Sequence, residues 1–416
     1  MLYHRHDAMA LGIIPARLSA VGTQMALRAG PLNFLMDTQG GRFVEGLCDM
    51  FERCTRYTTK PPFRISSVDV EGTLCAVREE VVLEKPFCRL LHFQKQRKEQ
   101  ESLPPEPSVL IIAPISGHFA TLLRDTVQRM LVHHNVYITD WISVSEVPAE
   151  EGPFGLDAYL DYLIDFLRAI GPQAHVMAVC QPAVQVMALA AILEERDDPV
   201  RPASIIPMGG PIDPRCNPTD VNRFAESYSL RDFERMLSFV PFGHPGAGRR
   251  VYPGFLQLTA FLNMNPHSHV GKHIQYLEDC VAGREEKKKV HTTFYDEYFS
   301  LLDMDALYFL ETIDHIFQRY TLPRGLMTYH GQKVDLRAIR RTALLTLEGE
   351  KDDISGPGQT YAAHKLCSCL PESKKAHYLQ EGVGHYGVFS GSRWRQFIAP
   401  RVEVFIREHH TPSATH

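Results

Sequence analysis

No run of about 18 or more consecutive apolar residues occurs in the chain, so nothing in it reads as a transmembrane segment. Charge of one sign is also scarce in excess: 44 Lys and Arg stand against 49 Asp and Glu, a formal net charge of −5. That balance excludes an electrostatic case for nucleic acid or an anionic membrane surface. The cysteines follow no framework spacing; they stand at 48, 54, 75, 88, 180, 216, 280, 367 and 369. The opening MLYHRHDAMALGII carries two histidines, an arginine and an aspartate before any apolar run and has no small-residue cleavage site. Free thiols in a reducing compartment are therefore expected rather than a secreted disulfide scaffold. Internal repeats and low-complexity segments are absent.

What remains is ordinary globular composition, 416 residues of which 44 % are hydrophobic, enough for one large domain with an insertion or for two domains. Short apolar patches broken by Gly and Pro over residues 1–60 predict helical pieces covering a core. MALGIIPARLSAVGTQMALRAGPLNFLM within them is read as core cover ahead of an attachment segment. Residues 63–95 read as an antiparallel meander turning at Glu71–Gly72, and SVLIIAPI (108–115) as a strand buried on both faces. Strands and helices then alternate. ATLLRDTVQRMLVHH and LDAYLDYLIDFLRAIG read as helices, NVYITDWI, HVMAV and ASIIPMGGPI as strands, which predicts an α/β fold with a mostly parallel sheet.

The alternation stops near residue 213 and resumes at RTALLTLEGE (341–350). The aromatic-rich residues 214–335 are read as an inserted, largely helical cap over the strand ends, with residues 61–213 and 336–410 as the two parts of the core and 411–416 as a tail. Tyr298, Leu302, Ala306, Phe309, Ile313, Phe317 and Tyr320 fall three or four apart and predict one long amphipathic helix. The run GREEKKKV (283–290) reads as a solvated loop, PGQTYAAHKLCSCL as a helix, KKAHYLQEG as a strand and GSRWRQFIAPRVEVFIREHH as a closing helix.

Cys180 stands where HVMAV turns into a helix opening at Pro182. A nucleophile on such a strand-to-helix turn is pushed out at the sheet edge, with the next backbone N–H left free. Here the turn reads Ala178-Val179-Cys180-Gln181-Pro182, with a small residue two places before and a proline where the missing N–H costs nothing. In this architecture the acid follows a later strand and the histidine the last one. Asp352, just past TALLTL, and His385, in the glycine-rich turn after HYLQEG, fill those slots. Asp353 is set aside as a backbone-capping residue. The oxyanion is expected to meet the N–H of Gln181 and a donor from the loop Pro114-Ile115-Ser116-Gly117-His118, Ser116 first. His118 is a candidate substrate contact, though a loop histidine is more often a surface residue. Tyr252, Phe255, Tyr295 and Tyr298 are candidates for an apolar substrate wall, with internal packing as the alternative use of such rings. His267, His269 and His273 in PHSHVGKH have no neighbouring ligand at metal spacing, so no metal is assigned. MGGPID (208–213) is read as shaping the cleft floor.

Several longer stretches carry a resemblance: VVLEKPFCRLLHF, APISGHFATLLRDTV, VYITDWI, VCQPAV, MGGPID, GRRVYPGFLQ, FYDEYFSLLDM, LEGEKDDISGPGQT and GHYGVFSGSRWR. On these, nearly end to end, the chain resembles the intracellular poly(3-hydroxybutyrate) depolymerases. The resemblance implies an α/β-hydrolase fold with a cysteine nucleophile matched by Cys180, an acid matched by Asp352 and a base matched by His385. It implies action on amorphous polyester at cytoplasmic storage granules, releasing 3-hydroxybutyrate or its oligomers, with no required cofactor and coenzyme A as an alternative acyl acceptor. The implied partner is the granule surface, and the sequence leaves a homo-oligomer open. Two rival readings use the same residues or fold: an acyl-CoA thioesterase or CoA-dependent acyl transferase, and a non-catalytic granule-binding protein.

Overall fold

The computed structural model describes residues 2–56, 59–96, 106–264 and 266–411. Nine strands form one sheet: β1 (Ser67–Val70), β2 (Thr73–Lys85), β3 (Cys88–Gln96), β4 (Ser108–Ile112), β5 (Asn135–Trp141), β6 (His175–Val179), β7 (Ser204–Met208), β8 (Ala343–Gly349) and β9 (Lys375–Gln380). Their order is β1-β2-β3-β5-β4-β6-β7-β8-β9. Pairing is antiparallel from β1 to β5 and parallel from there to β9. After β4 the chain steps outward to β5, then crosses back to β6 on the other side of β4. This reversal opens a crevice at the carboxyl ends of β4 and β6, the place where open parallel sheets hold ligands.

The register lines those ends up. Ile112 lies opposite Ala178, Val179 and Leu347 both lie opposite Met208, and Gly349 lies opposite Gln380. The segments after β4, β6, β7, β8 and β9 therefore leave the sheet along one edge. Strands β6, β7 and β8 are buried throughout, in keeping with their mainly apolar sequences. Helices α1 (Leu2–Arg28) and α2 (Gln39–Thr55) precede the sheet, while α3 (Arg124–Met130), α4 (Leu156–Ile170) and α5 (Pro182–Glu195) connect its strands. The insertion between β7 and β8 holds α6 (Asp220–Ser227), α7 (Leu230–Glu234), α8 (Gly254–Met264), α9 (Pro266–Val281), α10 (Glu285–Tyr298) and α11 (Ala306–Glu311). Helix α12 (Ala399–His409) closes the chain.

Four local expectations are corrected. The long helix across Tyr298–Tyr320 is broken: α10 ends at Tyr298 and α11 begins at Ala306. Bonds to the core compete successfully for the backbone between them, Leu302 N–H donating to Gly117 O at 2.7 Å and Asp303 N–H to Ser143 Oγ at 3.0 Å. Asp305 then caps α11 through the Leu307 N–H at 2.8 Å. The charged run GREEKKKV is not a loop; its acidic pair opens α10, where carboxylates suit the positive helix end. Within PGQTYAAHKLCSCL only Ala363–Leu366 is α-helical, because the buried Glu348 carboxylate holds the N–H groups of Gly358, Thr360 and Tyr361 at 2.8–2.9 Å in a turn instead. Finally, Ala8–Arg28 within α1 is long and apolar enough to cross a membrane by length and composition, and only 11 % of it is buried. No continuous apolar run signals it, because Gly12, Pro15, Arg17, Ser19 and the run Gly22-Thr23-Gln24 interrupt it while the average stays apolar.

Replacing Glu348 by Ala would leave three N–H groups in a buried turn without an acceptor. Glu348→Ala is expected to cost about 3 kcal/mol, read as a lower midpoint in chemical denaturation with little change in slope.

Candidate active site

Strand β6 ends at Val179 and α5 starts at Pro182, which leaves two residues to reverse the chain. Cys180 accommodates this with φ +66°, in the left-handed region that non-glycine residues avoid. Two backbone bonds hold it there: its N–H donates to Met208 O at 2.8 Å, and its carbonyl accepts from Ala183 N–H at 3.1 Å. The thiol is partly exposed rather than sealed in the core. The turn works only because its neighbour lacks a side chain. A Cβ on Gly210 would lie 2.1 Å from Ala183 Cβ and 2.7 Å from Cys180 O.

His385 opens a short turn after β9 and is buried, and Asp352 follows β8 with its carboxyl fully buried. His385 Nδ1 donates to Asp352 Oδ2 at 2.8 Å. The other carboxyl oxygen, Oδ1, accepts from the N–H groups of Ile354 and Ser355 at 2.9 and 2.8 Å, so the acid is aimed before anything binds. Burial alone would drive the proton off His385. The charges of Asp352 and Cys180 and hydrogen bonds to both outweigh it, and the imidazole's pKa is raised well above the ordinary 6.5. The ring is thus bonded to the acid on one side and to the cysteine on the other. Asp353 is exposed and takes no part in this pairing.

Gly209 and Gly210 follow β7 and form the floor beneath all three residues. Gly209 has φ +54°, and a Cβ on it would sit 3.1 Å from Asp352 Oδ2 and 3.4 Å from His385 Nδ1. Thr360 Oγ1 clasps Gly210 from both sides, accepting from its N–H at 2.8 Å and donating to its carbonyl at 2.9 Å. The sequence singled out MGGPID as a floor, but nothing in it links Gly210 to a threonine 150 positions later.

Gln181 donates its backbone N–H to no acceptor among the described residues, and its amide Nε2 donates to Thr312 Oγ1 at 2.9 Å. Ser116 lies half-buried in the loop after β4, next to β6 across the sheet. His118 is not on the surface. It is buried, pairs with Leu301 in an isolated bridge, and donates Nε2–H to Tyr298 O at 3.2 Å. Burial, opposed by that bond, pushes its pKa down to about 4, so the ring is neutral.

The aromatic candidates are spent mainly on cap packing. Tyr252 stacks on Phe309 at 4.0 Å, and Phe255 lies under Tyr3 and His6 of α1. Tyr295 is buried against His269, whose Nδ1 lies 3.0 Å from its hydroxyl. Tyr298 has its hydroxyl 3.3 Å from His269 Nε2 and its ring 6.1 Å from that of Tyr386, the residue after His385. His269 and His273 are taken up in ring contacts with these tyrosines. Sequence reasoning missed Tyr386, although adjacency to a candidate base was a usable signal.

A sheet of this strand order, with a cysteine elbow after one strand and a His–Asp pair after the last two, defines an α/β-hydrolase. Residues 209–410 match the family model described as PHB de-polymerase C-terminus, so over that segment the chain is similar to the PHB depolymerases. Solved structures of similar fold include a soluble variant of monoglyceride lipase from Saccharomyces cerevisiae with a substrate analogue, at 12 % identity, 84 % of this chain and 100 % of that one covered, and TM-score 0.47. A thermophilic esterase from Thermogutta terrifontis is similar at 14 % identity, with 83 % and 98 % covered and TM-score 0.41. A comparison with curated proteins finds no match.

Two outcomes are expected. Gly210→Ala forces its Cβ into Ala183 and should cost about 2 kcal/mol and most of the activity, read by denaturation and by turnover. In a Cys180→Ala background the His385 imidazole should still titrate above 6.5 by NMR. Adding Asp352→Asn removes the charge that favours the protonated ring, so the titration should move to lower pH.

Proposed function

We propose that this hydrolase is a cysteine-dependent depolymerase of poly(3-hydroxybutyrate). The observation that carries the reading is the pairing of a strained, accessible thiol with an imidazole that a buried carboxylate already orients. His385 takes the proton of Cys180, and Asp352 holds the imidazolium and its orientation. The thiolate attacks the ester carbonyl carbon, and the N–H groups of Gln181 and of Ser116 receive the oxyanion. As the tetrahedral species collapses, the C–O bond breaks and His385 returns its proton to the departing hydroxyl end of the polymer. A thioester remains on Cys180. Water then attacks it with His385 as base, releasing a carboxylate end and the thiol; coenzyme A, as a thiol, is the alternative acceptor. The high proton affinity of His385 supports the first step, in which the ring takes up a proton.

The family match supports the polyester as substrate. Nine free cysteines accord with a reducing cytoplasm, where such granules would be met. Cys180→Ala should lower loss of amorphous poly(3-hydroxybutyrate) by about 10³-fold or more with an unchanged circular dichroism spectrum, since it removes one partly exposed sulfur. Polymer loss that needs only water identifies a hydrolase. Loss that appears only with coenzyme A identifies a transferase instead, and equal behaviour of both proteins on granules removes Cys180 from the chemistry.

A further inference from the structure

Helix α2 is inside out. Glu45, 1 % exposed, and Asp49 face the protein, while Phe43, Val44, Leu47 and Phe51 face outward on the opposite side. A helix on a water-facing protein does the reverse, burying its apolar stripe. The buried charges have partners inside. Glu45 pairs with Arg28 of α1. Asp49 accepts from Gln24 at 3.2 Å, from Arg53 at 2.7 Å and from the Tyr276 hydroxyl at 2.6 Å. Arg53 continues to Asp296 of α10 at 2.6 Å. Polar groups gathered between helices with apolar side chains outside is the arrangement that an apolar surrounding medium selects.

Helix α1, packed against α2, carries exposed apolar side chains of its own. Leu11, Leu18 and Met25, seven residues apart, are each more than 60 % exposed, and Phe34 follows in the connection at 66 %. Between Ala8 and Arg28 the only charged residues are Arg17 and Arg28, with no carboxylate at all. Of 26 large apolar side chains exposed among the described residues, ten lie between Met9 and Phe51, which concentrates the patch on this hairpin rather than scattering it. A second copy paired along the seven-residue stripe would want charged residues flanking the seam. The flanking positions here are Pro15, Arg17, Gly22 and Gln24, which offer no complementary pairs.

We propose that the outward face of the α1–α2 hairpin is the surface by which the chain docks on solid polyester, its apolar side chains lying against the polymer. The inference rests on the function proposed above for its choice of partner. Its place in the fold suits the role. The start of α1 is clasped to the cap, Tyr3 Oη donating to Asp303 Oδ2 at 2.6 Å and His6 stacking on Phe255 at 4.3 Å. Asp303 adjoins Leu302, whose N–H is bonded to Gly117 in the loop beside Cys180. Docking through the hairpin thus sets the cap and the loop beneath it next to the polymer.

The test compares the full-length wild type with two triple variants, Leu11→Ser/Leu18→Ser/Met25→Ser on α1 and Phe43→Ser/Leu47→Ser/Phe51→Ser on α2. Each is measured for co-sedimentation with amorphous poly(3-hydroxybutyrate) particles, polymer loss, turnover of a soluble short-chain ester, and mass by light scattering. Either variant that keeps the wild-type circular dichroism decides the matter. The expected result is a fall of about tenfold or more in particle affinity and polymer loss, with soluble-ester turnover within about twofold of wild type. Particle binding by the variants equal to wild type overturns the proposal. So does a wild-type dimer that the variants dissolve while still binding particles, which would make the face a contact between copies. So too does wild-type binding to phosphatidylcholine–phosphatidylglycerol vesicles but not to particles. Wild type that binds through this face yet degrades nothing refutes the depolymerase reading alone and leaves the surface standing.

Discussion

The left-handed turn at Cys180 is the constraint on which the rest of the site depends. A non-glycine residue held at φ +66° costs about 1–3 kcal/mol and persists only where its surroundings over-determine it. Here they do. Met208 and Ala183 fix the two backbone groups of the cysteine, Pro182 supplies a helix start that needs no N–H, and Gly210 vacates the space behind the turn. Gly209, the residue before it, approaches Asp352 and His385, so adjacent glycines make room for the elbow and for the His–Asp pair. Thr360 and Glu348 extend this framework to the loop that carries the acid. Cys180, His385 and Asp352 thus share one set of backbone supports rather than three independent ones.

The cap is tied to that framework at the side where an oxyanion would form. Gly117 accepts from Leu302, His118 pairs with Leu301 and donates to the Tyr298 carbonyl, and the Tyr298 ring contacts that of Tyr386 beside His385. A neutral, buried His118 suits a fixed donor better than a group that exchanges protons with solvent. The aromatic residues of the insertion therefore do two jobs. Most make a core for the cap itself, and Tyr298 couples it to the loops around the cysteine.

Much of the architecture was legible because it is written in short-range pattern. Buried parallel strands announce themselves as unbroken apolar runs, as in SVLIIAPI and HVMAV, and amphipathic helices by their period, as in α4. The three residues of the elbow and the His–Asp pair were found by their slots after particular strands. Failures occurred where long-range bonds overrode local period. Residues 298–320 have a helical period, yet Leu302 and Asp303 gave up helix bonds for Gly117 and Ser143. The turn at Gly358–Tyr361 obeys a carboxylate ten or more residues upstream, which no window centred on it would weigh.

By itself the sequence determined the order of strands and helices, the insertion between two of them, and which residue types stand at the ends of β6, β8 and β9. These follow from periodicity and turn chemistry, both local. Tertiary structure alone decided that Thr360 closes on Gly210 and that His118 is buried. It also decided the polarity of α2. Period shows that a helix has two faces but not which of them turns inward, and the usual rule of apolar inside fails here because Arg28, Gln24, Arg53 and Tyr276 wait on the inner side to satisfy its carboxylates.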